Sequence, residues 1–177
     1  KQGTRLPVTV GSNILLARNQ EAAVVITSLR SYPDGFELTL SAIVRRPESH
    51  ELFRYRPVVV RGHPDSLPGE FIRFGLEFSD GRATTNLSSR PATESGGPVM
   101  MGIGGGGGGQ RYDMTYWVWP LPPPGPLTFV CQWPVHCVGE SRVVIDAQSI
   151  LDAAPQGIEL WPEDDDPKGV DEVAGWR

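Results

Sequence analysis

The chain has 177 residues, 39% hydrophobic and 21% charged, enough for one domain with a real hydrophobic core. No window comes near the roughly 18 consecutive apolar residues that a membrane helix requires. The net charge of -5 is unevenly placed: seven acids and two bases lie from Glu159 onward, which leaves 14 of each before it, and a neutral body without a clustered basic face argues against nucleic acid as a partner.

Residues 1–17 lack the long apolar run and small-residue cleavage site of a secretory leader. The expectation is a cytoplasmic protein, with export left open because the first residue is Lys1 rather than Met. Residues 22–32, rich in Val24, Val25 and Ile26, read as a strand. The next strand is the clearest in the chain: Phe36, Leu38, Leu40, Ala42 and Val44 alternate with polar neighbours at period two. Between them Tyr32-Pro33-Asp34-Gly35 has turn chemistry, so the pair is a hairpin. Five arginines follow between 45 and 61, interleaved with Phe53 and Tyr55; Glu48 and Glu51 dilute the patch, which reads as a solvated loop or edge. A second hairpin pairs Ile72, Phe74, Leu76 and Phe78 with residues 82–87 across Asp80-Gly81, a strong hairpin dipeptide.

Residues 88–111 read as a long Gly-rich loop containing six consecutive glycines, Gly104 to Gly109. A third pair sets residues 114–119 against 127–133 across the proline block 120–126. In its second arm Leu127, Phe129, Cys131 and Trp133 share one face. A further strand covers 140–146, and Asp146 is placed to cap a short helix over 147–154 that Pro155 stops. Many short strands, turns rich in Gly and Pro and one short C-terminal helix predict an all-β fold. The expected architecture is an antiparallel β-sandwich, immunoglobulin-like or jelly-roll-like, over residues 1–161. Residues 162–177 form an acidic tail, which Trp161 and Trp176 could anchor.

The glycine run invites a phosphate-binding reading, but Gln110-Arg111-Tyr112 stands where a P-loop needs Lys and Ser or Thr, and the segment leads into a strand. Structural readings remain: a flexible tether, or a backbone that lies close over the aromatics or a partner. His50-Glu51-Leu52-Phe53-Arg54 opens like a zinc-protease motif but has Arg54 where the second His must fall, and a cation cannot ligate zinc. Cys131 and His136, on a late strand and the loop after it, resemble part of a blue-copper site; the second His would have to be His50 or His63, and no Met follows in the loop. Otherwise Cys131 is a small core residue by its parity; Cys131 and Cys137 could pair across the Trp133-Pro134 bend, but two cysteines suit a reducing compartment better, and free thiols are the expectation. No cofactor is implied.

Ser31-Tyr32-Pro33-Asp34-Gly35-Phe36-Glu37, the polyglycine leading to Tyr116-Trp117-Val118-Trp119-Pro120 and its prolines, and Leu160-Trp161-Pro162-Glu163-Asp164 together resemble an uncharacterised family of actinobacterial proteins. That resemblance implies a bacterial, free-standing domain and carries no activity.

The leading expectation is a non-enzymatic protein-interaction or assembly module, binding another protein or its own copy. Its site would be the Gly-rich loop and adjacent aromatics, namely Gly104, Gly109, Arg111, Tyr112, Trp117 and Trp119. Strand alternation puts Trp117 and Trp119 on one face, hence both in the core or both on display. The alternative is a small-ligand or metal-binding, cupredoxin-like domain using Cys131 and His136. An enzyme would have to draw on Asp34, Asp80, Asp113 and Glu140, none of which lies in a recognisable motif.

Overall fold

A computed structural model of the chain describes residues 5–11, 13–46, 71–87 and 96–161. In chain order its strands are β1 (Arg5–Leu6), β2 (Val8–Gly11), β3 (Ile14–Arg18), β4 (Ala22–Ser31), β5 (Phe36–Val44), β6 (Arg73–Glu77), β7 (Ala83–Thr85), β8 (Val99–Gly108), β9 (Arg111–Trp119), β10 (Pro126–Trp133), β11 (Val138–Asp146) and β12 (Ile158–Glu159). The helix α1 (Gln148–Ala153) continues into a single 3-10 turn, Ala154–Gln156. All the pairings are antiparallel. One sheet runs β2-β4-β5-β9-β8, with β3 also on β4; a second runs β11-β10-β6-β7; β1 and β12 make a short ribbon. The fold is thus antiparallel and β-rich, with one helix near its C-terminal end.

The first two hairpins form where alternation and turn residues put them. Ser31 faces Phe36, and the Tyr32 N–H donates to the Gly35 carbonyl at 2.9 Å. Gly35 is required here by space: a Cβ would lie 2.4 Å from the Val118 carbonyl oxygen and 2.6 Å from the Trp117 ring. At the β6–β7 turn Gly81 has φ +81°, and the Asp80 carboxylate accepts from the Arg82 N–H at 3.1 Å and from Arg82 Nε at 2.7 Å. The Arg82 N–H is the main influence that holds the Asp80 carboxyl below its ordinary value, with the guanidinium adding to it.

The third expected pair does not form. β9 pairs with β5 and β8, whereas β10 pairs with β6 and β11, so the proline-rich segment between them carries the chain from one sheet to the other. Prolines have no N–H to give to a ladder and suit a crossing better than a hairpin. The predicted face of β10 holds: Leu127, Phe129, Cys131 and Trp133 are all buried.

Those residues join Val24, Ile26, Phe36, Leu38, Leu40, Met114, Tyr116 and Val118 of the other sheet in one core cluster. Phe74 links the sheets, its ring 6.1 Å from Phe129 and 5.8 Å from Tyr116. Each buried side chain of this size contributes about 1.5–3 kcal/mol. The helix N-cap is Ala147 rather than the expected Asp146, which lies one residue earlier and accepts from the Gln148 N–H at Oδ1 at 2.9 Å; Ser31 Oγ donates to the Ile150 carbonyl at 2.7 Å, docking α1 on the end of β4.

Cys131 is 1% exposed, and burial pushes its thiol from 9.0 up to about 11; Cys137 is exposed, and both are free. A thiol reagent at pH 8 should therefore titrate one cysteine in the native protein and two after denaturation; two in the native state would contradict the burial. Because the folded-state value is raised, the stabilisation is complete below pH 9 and is lost as pH rises towards 11. It amounts to about 3 kcal/mol at most. The difference in unfolding free energy between the native sequence and Cys131→Ala should shrink across that window.

Candidate functional site

The glycine run is a strand rather than a loop. Gly104 to Gly108 belong to β8 and face Thr115, Met114, Asp113, Tyr112 and Arg111 of β9 in turn. Glycine disfavours extended structure by entropy, yet β9 supplies a full backbone ladder. The local signal is Gly109-Gln110, a two-residue hairpin link with Gly109 at φ +60°. The link is pinned to the end of β5: the Val44 N–H donates to the Gln110 carbonyl at 2.8 Å, and Gln110 Nε2 donates to the Arg45 carbonyl at 2.8 Å.

The glycines are not equivalent. A Cβ on Gly107 would sit 2.3 Å from the Arg111 carbonyl oxygen, and one on Gly105 2.9 Å from that of Asp113, so close approach of β8 to β9 demands both. Gly104, Gly106 and Gly108, on the opposite face, would meet nothing within 4 Å. Among the described residues β8 is the last strand of its sheet, hydrogen-bonded only to β9. Everything in it after Met100 is exposed, including Met101 at 54% and Ile103 at 45%.

Along β9, Met114, Tyr116 and Val118 enter the core, with Tyr112 packed partly against it, while Arg111, Asp113, Thr115, Trp117 and Trp119 point outward. Trp117 and Trp119 share a face as expected but not a fate. Trp117 is 7% exposed because the β4–β5 turn folds over it, with Tyr32 edge-on at 5.3 Å and Gly35 against its ring. Trp119, beyond that cover and beside Val99, is 47% exposed. The two tryptophans are therefore one buried and one displayed, which alternation alone cannot distinguish.

Beside Trp117 the outward face is polar and largely paired within itself, with Arg30 Nε left buried and without a hydrogen-bond partner. Arg30 pairs with the buried Glu37, which also accepts from the Tyr32 hydroxyl at 3.4 Å. Burial, then Glu37, raises the Tyr32 hydroxyl above its ordinary value. Ser41 Oγ donates to Asp113 at 2.5 Å, and Arg111 Nε to the same oxygen at 2.7 Å.

The other candidates do not converge. Asp34 is exposed in its turn; Asp80, Asp113 and Glu140 are each bound by an arginine two residues away, Arg82, Arg111 and Arg142. Cys131 is enclosed in the core, while His136 lies on the 3-10 turn Pro134–His136 with its ring 4.1 Å from that of Trp133. Among the described residues no group of three or more His, Cys, Asp or Glu could hold a metal ion. His50 and His63, the incomplete zinc-protease motif, the arginines from Arg54 to Arg61, and the acidic tail lie outside the described residues. Reading by motif also missed Met101 and Ile103, whose signal is the apolar run Val99-Met100-Met101 leading into the glycines.

Comparison with protein-family models, curated proteins and solved structures finds no match.

Two contrasts follow from the geometry. Gly107→Ala should destabilise the protein by about 1–3 kcal/mol in denaturant titration, as overpacking does, whereas Gly106→Ala should be neutral or stabilise by up to about 1 kcal/mol. Trp117→Ala should cost about 3–5 kcal/mol and Trp119→Ala no more than about 0.5 kcal/mol. Equal effects within either pair would contradict the placement of β8 or β9.

Proposed function

We propose that the chain is a non-enzymatic β-sandwich, of immunoglobulin-like or jelly-roll type, that serves as a protein-interaction or assembly module through the β8 edge and the adjacent Trp119. The carrying observation is the contrast between this edge and the others. Exposed sheet edges are normally shortened, charged or bulged, because their unpaired N–H and C=O groups accept other strands. Among the described residues, β7 has three residues, β11 carries Glu140 and Arg142, and β2 and β3 have only four and five residues. β8 has ten residues without charge or proline and a single irregularity, between Gly102 and Gly104.

Such a strand suits addition of a partner strand, in which main-chain hydrogen bonds hold the two together and flanking side chains select the partner. Met101, Ile103 and Trp119 are those flanks, since large exposed apolar side chains dominate interface energetics. The test places a photo-crosslinking residue at 104, 106 or 108 of the full chain, in the cells that produce it, with position 144 on β11 as control. The expected result is capture of one short polypeptide segment, its own or another chain's, at successive residues from the three β8 positions and not from 144. Absence of any polypeptide adduct, or adducts scattered alike over all four positions, would remove the proposal.

A further inference from the structure

We infer that the strand accepted by the β8 edge is β8 of a second copy, paired antiparallel about a two-fold axis between Ile103 and Gly104. This rests on the reading of β8 as a docking edge and adds the identity of the occupant. The strand has two unlike halves. Val99 and Met101 point outward in the first, whereas the outward positions of the second are Gly104, Gly106 and Gly108, on which a Cβ would meet nothing.

Antiparallel pairing of identical strands sets one half against the other. With Met101 opposite Gly106 of the second copy, Val99 stands opposite Gly108 and Gly102 opposite Gly105. Every outward side chain then faces an empty outward position, and the inward positions Gly102 and Gly105 also match. A two-fold interface must be self-complementary in this sense. Packing inside one chain explains glycine at 105 and 107; the second copy explains it at 104, 106 and 108.

The residues that flank the paired edge also leave room for it. Trp119 lies beside Val99, and Arg111 beside Gly108, all outward. In the paired arrangement Trp119 of one copy and Arg111 of the other flank the same row, three strand spacings or about 14 Å apart, with nothing larger than valine between them. Arg111 is held within its own chain, its Nε donating to Asp113 at 2.7 Å and an Nη to Ser41 at 3.1 Å, so it leaves the row open to the Trp119 indole of the other copy, and the axis repeats the arrangement. The area sets the strength. A ten-residue edge, about 33 Å long and about 10 Å deep, covers a few hundred Å² per copy, short of the roughly 800 Å² of a standard interface, so the dimer is reversible and concentration-dependent.

The test is sedimentation equilibrium of the full chain from low micromolar to near-millimolar concentration, with Gly106→Lys as the disrupting variant and its thermal midpoint as the check on folding. The expected result is a dimer whose dissociation constant rises at least about tenfold in Gly106→Lys. Register is read independently in a Cys137→Ser background. M101C and G106C, mixed, should form an intermolecular disulfide far faster than either alone, because like positions lie about 16 Å apart in this pairing and a disulfide needs Cβ atoms within about 4.5 Å. A monomer at all concentrations, a dimer indifferent to Gly106→Lys, or equal disulfide formation by each variant alone would overturn the inference. If the chain is monomeric but residues 104, 106 and 108 still capture a segment of a different protein, self-pairing falls and the docking edge stands; if they capture nothing, both fall.

Discussion

A run of glycines has no side chains with which to hold itself extended, so β8 exists only as far as β9 holds it. The ladder from Val99 opposite Trp119 to Gly108 opposite Arg111 does this, and β9 can do it because its other edge is paired to β5 from Arg111 to Val118 and its inward residues Met114, Tyr116 and Val118 are fixed in the core. Order thus passes outward from the β4–β5 hairpin through β9 to a strand with little ordering tendency of its own. The inward glycines fit the same logic, since Gly105 and Gly107 let β8 lie closer to β9 than any side chain would permit.

The outward polar groups of β4, β5 and β9 fix register rather than add much stability. Arg30, Glu37 and Trp117 stand in one cross-strand row, and Ser41 and Asp113 in another. Partly exposed ion pairs such as Arg111–Asp113 are worth about 0–1 kcal/mol. A slip of β5 by one residue, however, would send Glu37 into the core and bring Leu38 and Leu40 to the surface, an arrangement the chain cannot satisfy.

What sequence could reveal depended on distance along the chain. The β4–β5 and β6–β7 hairpins were legible because period-two alternation and the turn residues Pro33-Asp34-Gly35 and Asp80-Gly81 are local signals. The core face of β10 and the helix after Asp146 were legible for the same reason. The partners of β10 were not, because β6 lies some fifty residues earlier and competes with β9 as a neighbour on equal terms of pattern. The glycine strand was misread because propensity describes a strand alone, while β8 takes its conformation from β9. Trp117 and Trp119 have the same parity, and only the β4–β5 turn, folded over one of them, sets them apart. Of the site, Trp119, Arg111 and the glycines were visible, but their meeting on a strand edge was not.

The choice between a merely tolerated edge and a working one turns on the glycines the fold does not need. Glycine inside a strand costs roughly 0.5–1 kcal/mol relative to alanine, so three at positions where a Cβ would meet open space weaken the protein by about 1.5–3 kcal/mol, against a typical total stability of about 5–15 kcal/mol. Packing among the described residues offers no return for that loss at 104, 106 and 108, as it does at 105 and 107. The property that weakens the strand also lets another backbone lie against it unobstructed, and the large exposed side chains Met101 and Ile103, with Trp119 on the neighbouring β9, stand clear of Gly104 to Gly108. An edge without side chains in one half and with apolar side chains in the other gives both room and a means of selection, and a second copy of the same strand brings the missing half of each.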